Sequence, residues 1–124
     1  MRLQDQHLDV RHIAPEKWWE RSRYEMLTPL EWKTYTVPVG FHTDMATIPR
    51  LLWPFFSQQG MHAKAAVIHD YLLDVYWRND LLERDYCDLE FKHALKELGV
   101  PKWRVAIMVF FVRVYSVIAE IRSK

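Results

Sequence analysis

The sequence predicts an α+β domain in which short N-terminal antiparallel strands are followed by about three helices, the last of them strongly apolar. Three observations carry this. β-branched and aromatic residues recur between Trp18 and Val39, broken by Pro29 and Pro38; from Met61 onward apolar residues recur at helical spacing; and Val105 to Val112 is an unbroken apolar run of eight.

At 124 residues and 50% apolar content the chain has enough side chains for one core and too few for two. Residues 1–15 are polar and aperiodic and read as an N-terminal arm or loosely attached edge, leaving 16–124 as a single α+β domain. Met1 to Val10 carries Asp5 and Asp9 and no apolar run, so no secretory signal is expected there. Seventeen Lys and Arg against sixteen Asp and Glu leave a formal charge of +1, which gives no global attraction to phosphate backbones and no indication of specific nucleic-acid binding. Cys87 is the one cysteine, so an internal disulfide is excluded and the fold rests on packing.

Between Trp18 and Val39 the pattern predicts two or three short strands, with Tyr35-Thr36-Val37 alternating beside Trp32 and Pro29 at a turn or edge. Gly40 opens a loop that aims His42, Thr43 and Asp44. Pro49 and Pro54 make Ile48 to Phe56 extended chain or short turns. Ala65, Ile68, Leu72 and Val75 or Tyr76 predict a helix over Met61 to Trp77. Cys87, Phe91, Leu95 and Leu98 predict a second over about Leu81 to Leu98, with Glu90, Lys92 and Glu97 on its other sides and Gly99 as its stop signal.

Pro101 stands at a natural first position for the third helix. That helix is apolar on nearly all sides, so it is expected at the centre of the core or covered by a partner, which includes a homo-oligomer through this C-terminal helix. A transmembrane span is not expected, because Arg113 falls in the middle of Trp103 to Ile121 and a mid-span arginine costs about 2.5–3.5 kcal/mol on insertion scales.

Helical geometry turns His69 inward with Ala65 and Leu72, with Asp70 on the flank. Such a histidine is a metal ligand, a base oriented by a carboxylate, or a hydrogen-bonded core residue. Asp88 shares the spacing of Phe91, Leu95 and Leu98 and is aimed at the core, where it must meet backbone amides, Arg113, His69 or a metal. Asp44 lies in the glycine-led loop, with Thr43 and Thr47 as capping hydroxyls. If Asp44 converges with the helix-borne groups, the oxygen and nitrogen donors suit a divalent metal such as Zn.

His62 shares a face with His69 but lies ~10 Å away along the axis, too far for one metal. His7, His12, His42 and His93 have no ligand spacing among themselves. Cys87 reads as a small core residue and not as a nucleophile. Glycine-rich phosphate loops, paired CxxC and the serine elbow do not occur in the sequence. Trp18, Trp19, Arg21 and Arg23 serve either base or sugar stacking or strand-edge packing, the commoner use.

The stretch Val37 to Arg50, reading VPVGFHTDMATIPR, is followed by Ala66 to Leu73, AVIHDYLL, and then by Asp88 and Phe91. In this order the motifs resemble the domain of unknown function 1353, a family of bacteriophage and prophage proteins with the pattern VPxGFxTDxASxPR, then AxxHDYLY, then an Asp-x-x-Phe helix and a closing apolar segment with an arginine. The resemblance covers about residues 24–115. Gly40, Phe41, Thr43, Asp44, Pro49, Arg50, His69, Asp70, Tyr71, Asp88 and Arg113 match; Thr47 replaces a serine and Leu73 a tyrosine.

The resemblance implies a phage setting, in the host cytoplasm or the virion, and no particular reaction. Two functions follow as expectations. In the first, the chain is a phage-encoded accessory or virion-associated protein, tail-related or an inhibitor of a host enzyme, that contacts phage or host proteins while an Asp/His/Asp network braces its loop. In the second it is a metal-dependent hydrolase, with cell-wall material as a substrate. There Asp44, His69 and Asp88 are the metal ligands, Asp70 orients His69, Arg50 steadies an anionic group and Thr47 supplies a hydroxyl.

Overall fold

The computed structural model describes residues 2–18, 23–43 and 61–123. Five short strands precede three helices among these residues, an α+β arrangement. We label the strands β1 (Val10–Ile13), β2 (Arg23–Met26), β3 (Leu30–Trp32), β4 (Tyr35–Val37) and β5 (His42–Thr43), and the helices α1 (Met61–Tyr71), α2 (Arg84–Glu97) and α3 (Lys102–Ser123).

The strands form two antiparallel units. β2 lies between β1 and β5, with Val10 opposite Met26 and Tyr24 opposite Thr43. β3 and β4 form a hairpin in which Leu30 faces Val37 and Trp32 faces Tyr35. Its two-residue loop starts at Lys33, which takes a left-handed φ of 53°. Leu30, Trp32 and Val37 point inward and Glu31 and Thr36 outward, the two-residue alternation of a half-buried sheet. Gly40, at φ 89°, turns the chain so that its N–H donates to the Met26 carbonyl while Met26 N–H donates to Phe41, and β5 is thereby delivered to β2.

Residues 1–15, read as an arm or edge, supply more than a tail. β1 is the sheet's edge strand, Leu3 is buried in the core, and the Gln6 side-chain amide exchanges two hydrogen bonds of 2.7 Å with the backbone of Glu31. Gln6 thus pairs the open edge of β3 as a strand would.

The helix expected over Met61 to Trp77 is α1 followed by a π-helical segment, Leu72–Trp77, whose end is closed by Arg78 N–H donating to the Leu73 carbonyl. Ala65, Ala66, Val67, Ile68 and His69 are all buried, so α1 is the helix enclosed on most sides. The helix expected to start at Leu81 begins at Arg84 instead, and Leu81 is exposed in the preceding turn. α2 ends in a Schellman motif: Gly99, at φ 82°, donates to the Lys96 carbonyl and Val100 to that of Leu95. Pro101 precedes the first residue of α3, and its carbonyl accepts from Val105 N–H.

Of the two positions expected for α3, the centre of the core is not the one it takes. It packs on α2 through Val105, Met108, Val112 and Ser116, while Trp103, Ile107, Phe110, Val114, Tyr115, Val117, Ile118 and Ile121 remain exposed. No helix among the described residues is long and apolar enough to cross a membrane.

Candidate functional site

Asp88 is the hub. It occupies the buried face of α2 between Cys87 and Phe91 and is 1% exposed, so its carboxylate must be met from other elements. Three side chains meet it. His69 on α1 brings Nε2 within 2.6 Å of Oδ1, Ser116 on α3 donates its hydroxyl to Oδ2 at 2.6 Å, and Arg113 donates to the same oxygen at 2.9 Å. Because a carboxylate only accepts, the proton of the His69 ring lies on Nε2 in this pair.

Burial alone would raise the Asp88 carboxyl, but the hydrogen bonds from His69, Ser116 and Arg113 outweigh it and hold the group below its ordinary value. The three helices are therefore joined at one ionised group. The ring of Phe91, fully buried one turn after Asp88 on α2, tilts against that of His69 at 5.3 Å.

The network reaches the surface along two routes. Arg113 also donates to Asp85 at 2.7 Å, and that bond, ahead of its contact with Asp88, raises its already high pKa despite partial burial. Arg84 donates through Nε to Ser116 Oγ at 2.7 Å, and its guanidinium covers the Trp77 ring at 4.7 Å. Burial lowers the Arg84 pKa, and the nearby Asp88 opposes this in part. Arg84, Trp77, Glu83, Asp85 and Glu120 line an open cleft of about 450 Å³ outside this end of the network.

Of the predicted site residues, the structure brings together His69, Asp88 and Arg113. The carboxylate that meets His69 Nε2 is that of Asp88, while Asp70, half-buried on the flank, accepts a hydrogen bond from the hydroxyl of Thr43 on β5. Asp44, Thr47 and Arg50 lie outside the described residues. Among the described residues no group of three or more His, Cys, Asp or Glu side chains is gathered as a metal-binding set.

The sequence reading missed Ser116 and Glu90. Ser116 is fully buried, and its signal was its place eleven residues after Val105 on the stripe Val105, Met108, Val112. Glu90, assigned to the outer sides of α2, is 2% exposed and accepts from the Trp32 indole at 2.6 Å and from Lys33 at 2.9 Å. It lies three residues after Cys87 and four before Ala94, within the same buried stripe, and that spacing could have found it. Around it Tyr35 is pushed up to about 12 by burial, a hydrogen bond with Tyr86 and the nearby Glu90 charge. Cys87, enclosed by the core, is pushed up to about 11, first by burial and then by Asp88, which leaves an unreactive thiol.

An α+β frame whose three helices meet at a buried carboxylate, with a strand end tied to the first of them, defines the class of protein. Residues 20–112 match the family described as Protein of unknown function (DUF1353), and the chain belongs to that family. It is also 31% identical over 84 residues to the uncharacterized protein y4jT of Sinorhizobium fredii. That match covers 66% of this chain and 24% of the relative, so the chain corresponds to about a quarter of the longer protein. No solved structure matches the chain.

Proposed function

We propose that the chain is a phage-encoded accessory or virion-associated protein, tail-related in setting, that acts through contacts with phage or host proteins on a frame locked by the Asp88 network. The observation that carries this reading is the engagement of both Asp88 oxygens, one by His69 and the other by Ser116 and Arg113. The group best suited to chemistry is occupied in joining helices. The phage setting, in host cytoplasm or virion, is supported by the resemblance of the motifs.

The test is to induce the genetic element carrying the gene, separate particles from free protein on a density gradient, and follow the chain by mass spectrometry. Co-migration with particles or with a defined phage or host protein is the expected result. A chain found only as free protein throughout the infection cycle sinks the reading.

A second reading, a metal-dependent hydrolase acting on cell-wall material, is favoured by one contact. The Thr43–Asp70 hydrogen bond fastens the residue that precedes Asp44 to the helix bearing His69. Metal analysis of the purified chain separates the two. One equivalent of zinc or another divalent metal, lost in folded His69→Ala and Asp88→Asn variants, would replace the accessory reading with the hydrolase.

A further inference from the structure

α3 carries two apolar stripes on opposite sides. Val105, Met108, Val112 and Ser116 are buried against α2. At 100° per residue, Trp103, Ile107, Phe110, Val114, Val117 and Ile121 fall on a line roughly opposite, and all six are exposed, Phe110 at 63% and Ile121 at 66%. Their spacing alternates four and three without a break, the heptad seam of a coiled coil, and exposed Ile118 and Tyr115 widen the apolar face along one flank. β-branched Ile107, Val114 and Ile121 hold one seam position, and Trp103, Phe110 and Val117 the other.

We infer that this seam is an interface between two copies of the chain, whose α3 helices pair antiparallel about a twofold axis that crosses the seam at the level of Val112. The seam is palindromic about that residue. Antiparallel pairing places Trp103 against Ile121, Ile107 against Val117 and Phe110 against Val114 of the second copy, so the two aromatic rings each meet a smaller aliphatic side chain. A surface that complements itself in this way is what an isologous dimer requires.

The area is also of the right size. Two aromatic side chains expose about 150–250 Å² each when free, so Trp103 at 59% and Phe110 at 63% leave about 250 Å² open. The half-open aliphatic side chains, Ile118 included, add about 200 Å² on the usual transfer scale. Together these make about 450 Å² of open apolar surface per copy, against roughly 500 Å² for the apolar two-thirds of a standard homodimer interface. A standard stable interface takes about 800 Å² per partner. In the dimer each α3 is enclosed between its own α2 and the partner's α3, the enclosed position its composition calls for.

The inference rests on the protein-contact reading of the chain and names the partner, and purified protein tests it without reference to phage particles. Sedimentation equilibrium of the full chain is expected to give twice the 15.0 kDa monomer mass. Phe110→Glu and Val114→Glu should each halve that mass with circular dichroism unchanged, because both side chains are exposed. In a Cys87→Ala background, Phe110→Cys and Val114→Cys chains should form a disulfide-linked dimer on mixing, and neither should do so alone. A wild-type monomer at the highest attainable concentration overturns the proposal, as does a dimer that survives both glutamates. Self-linking of the Phe110→Cys chain would mean parallel pairing and overturn the geometry. A monomer that floats with phosphatidylcholine vesicles through the same six residues would give the face to lipid instead. Any of these leaves the particle experiment to decide the accessory role separately.

Discussion

Asp88 and Arg113 share a hydrogen bond yet stand in different media, and the difference decides what each is worth. The carboxylate is buried, while the guanidinium is 41% exposed and has Asp85 as a second partner. Replacing Asp88 by alanine strands His69 and Ser116 inside the helices, where removing one partner of a buried pair costs about 3–5 kcal/mol. Replacing Arg113 by alanine costs below about 1 kcal/mol, because water screens and replaces an exposed partner. Urea unfolding of the two variants should show this order, and an equal loss in both would contradict the hub assignment. Glu90 is a second test of the same principle. Glu90→Gln keeps the shape but offers Lys33 and the Trp32 indole a weaker acceptor, with an expected loss of about 1–2 kcal/mol that thermal unfolding would register.

At the scale of elements, the junction between α2 and α3 depends on one backbone angle. Gly99 sits at φ 82°, and a β-carbon built there meets nothing within 4 Å, so the cost of Gly99→Ala is purely conformational. A left-handed alanine costs about 1–2 kcal/mol, and the denaturant midpoint should fall accordingly with no change in slope. The π-helical segment after α1 is a comparable local device. Wider turns bring Tyr76 beside Tyr71, ring centres 6.0 Å apart, and Tyr76 in turn meets Tyr35 of the hairpin edge-on at 5.2 Å. Burial, followed by Tyr76, raises the Tyr71 hydroxyl pKa. Periodicity gave one helix from Met61 to Trp77, and the switch to π geometry was invisible because the apolar spacing differs by a single residue.

For the molecule as a whole, the helices share one acid-sensitive joint. The Asp88 carboxyl is held below its ordinary value in the folded chain, so its stabilising contribution is complete above the unfolded value of about 3.9 and is lost as pH falls through the lower folded one. Urea midpoints measured from pH 5 downward should therefore fall more steeply for the wild type than for Asp88→Asn, the two curves converging in acid. Parallel curves would show that Asp88 is not held ionised by its partners.

The order of strands before helices, the inward turn of His69 and Asp88 and the Gly99 stop were all legible in the amino-acid sequence, because each follows from local periodicity or from a backbone angle that glycine tolerates. Which groups meet was not. The His69–Asp88–Ser116 junction joins three helices, and Trp32–Glu90 spans 58 residues of sequence, so both depend on how the elements dock and not on spacing within any one of them. Docking also decided that α1, and not α3, takes the interior position: among the described residues α1 is buried on most sides, while α3 packs on α2 through one face. A helix's own pattern records which sides are apolar; only the packed chain determines which of those sides finds a neighbour.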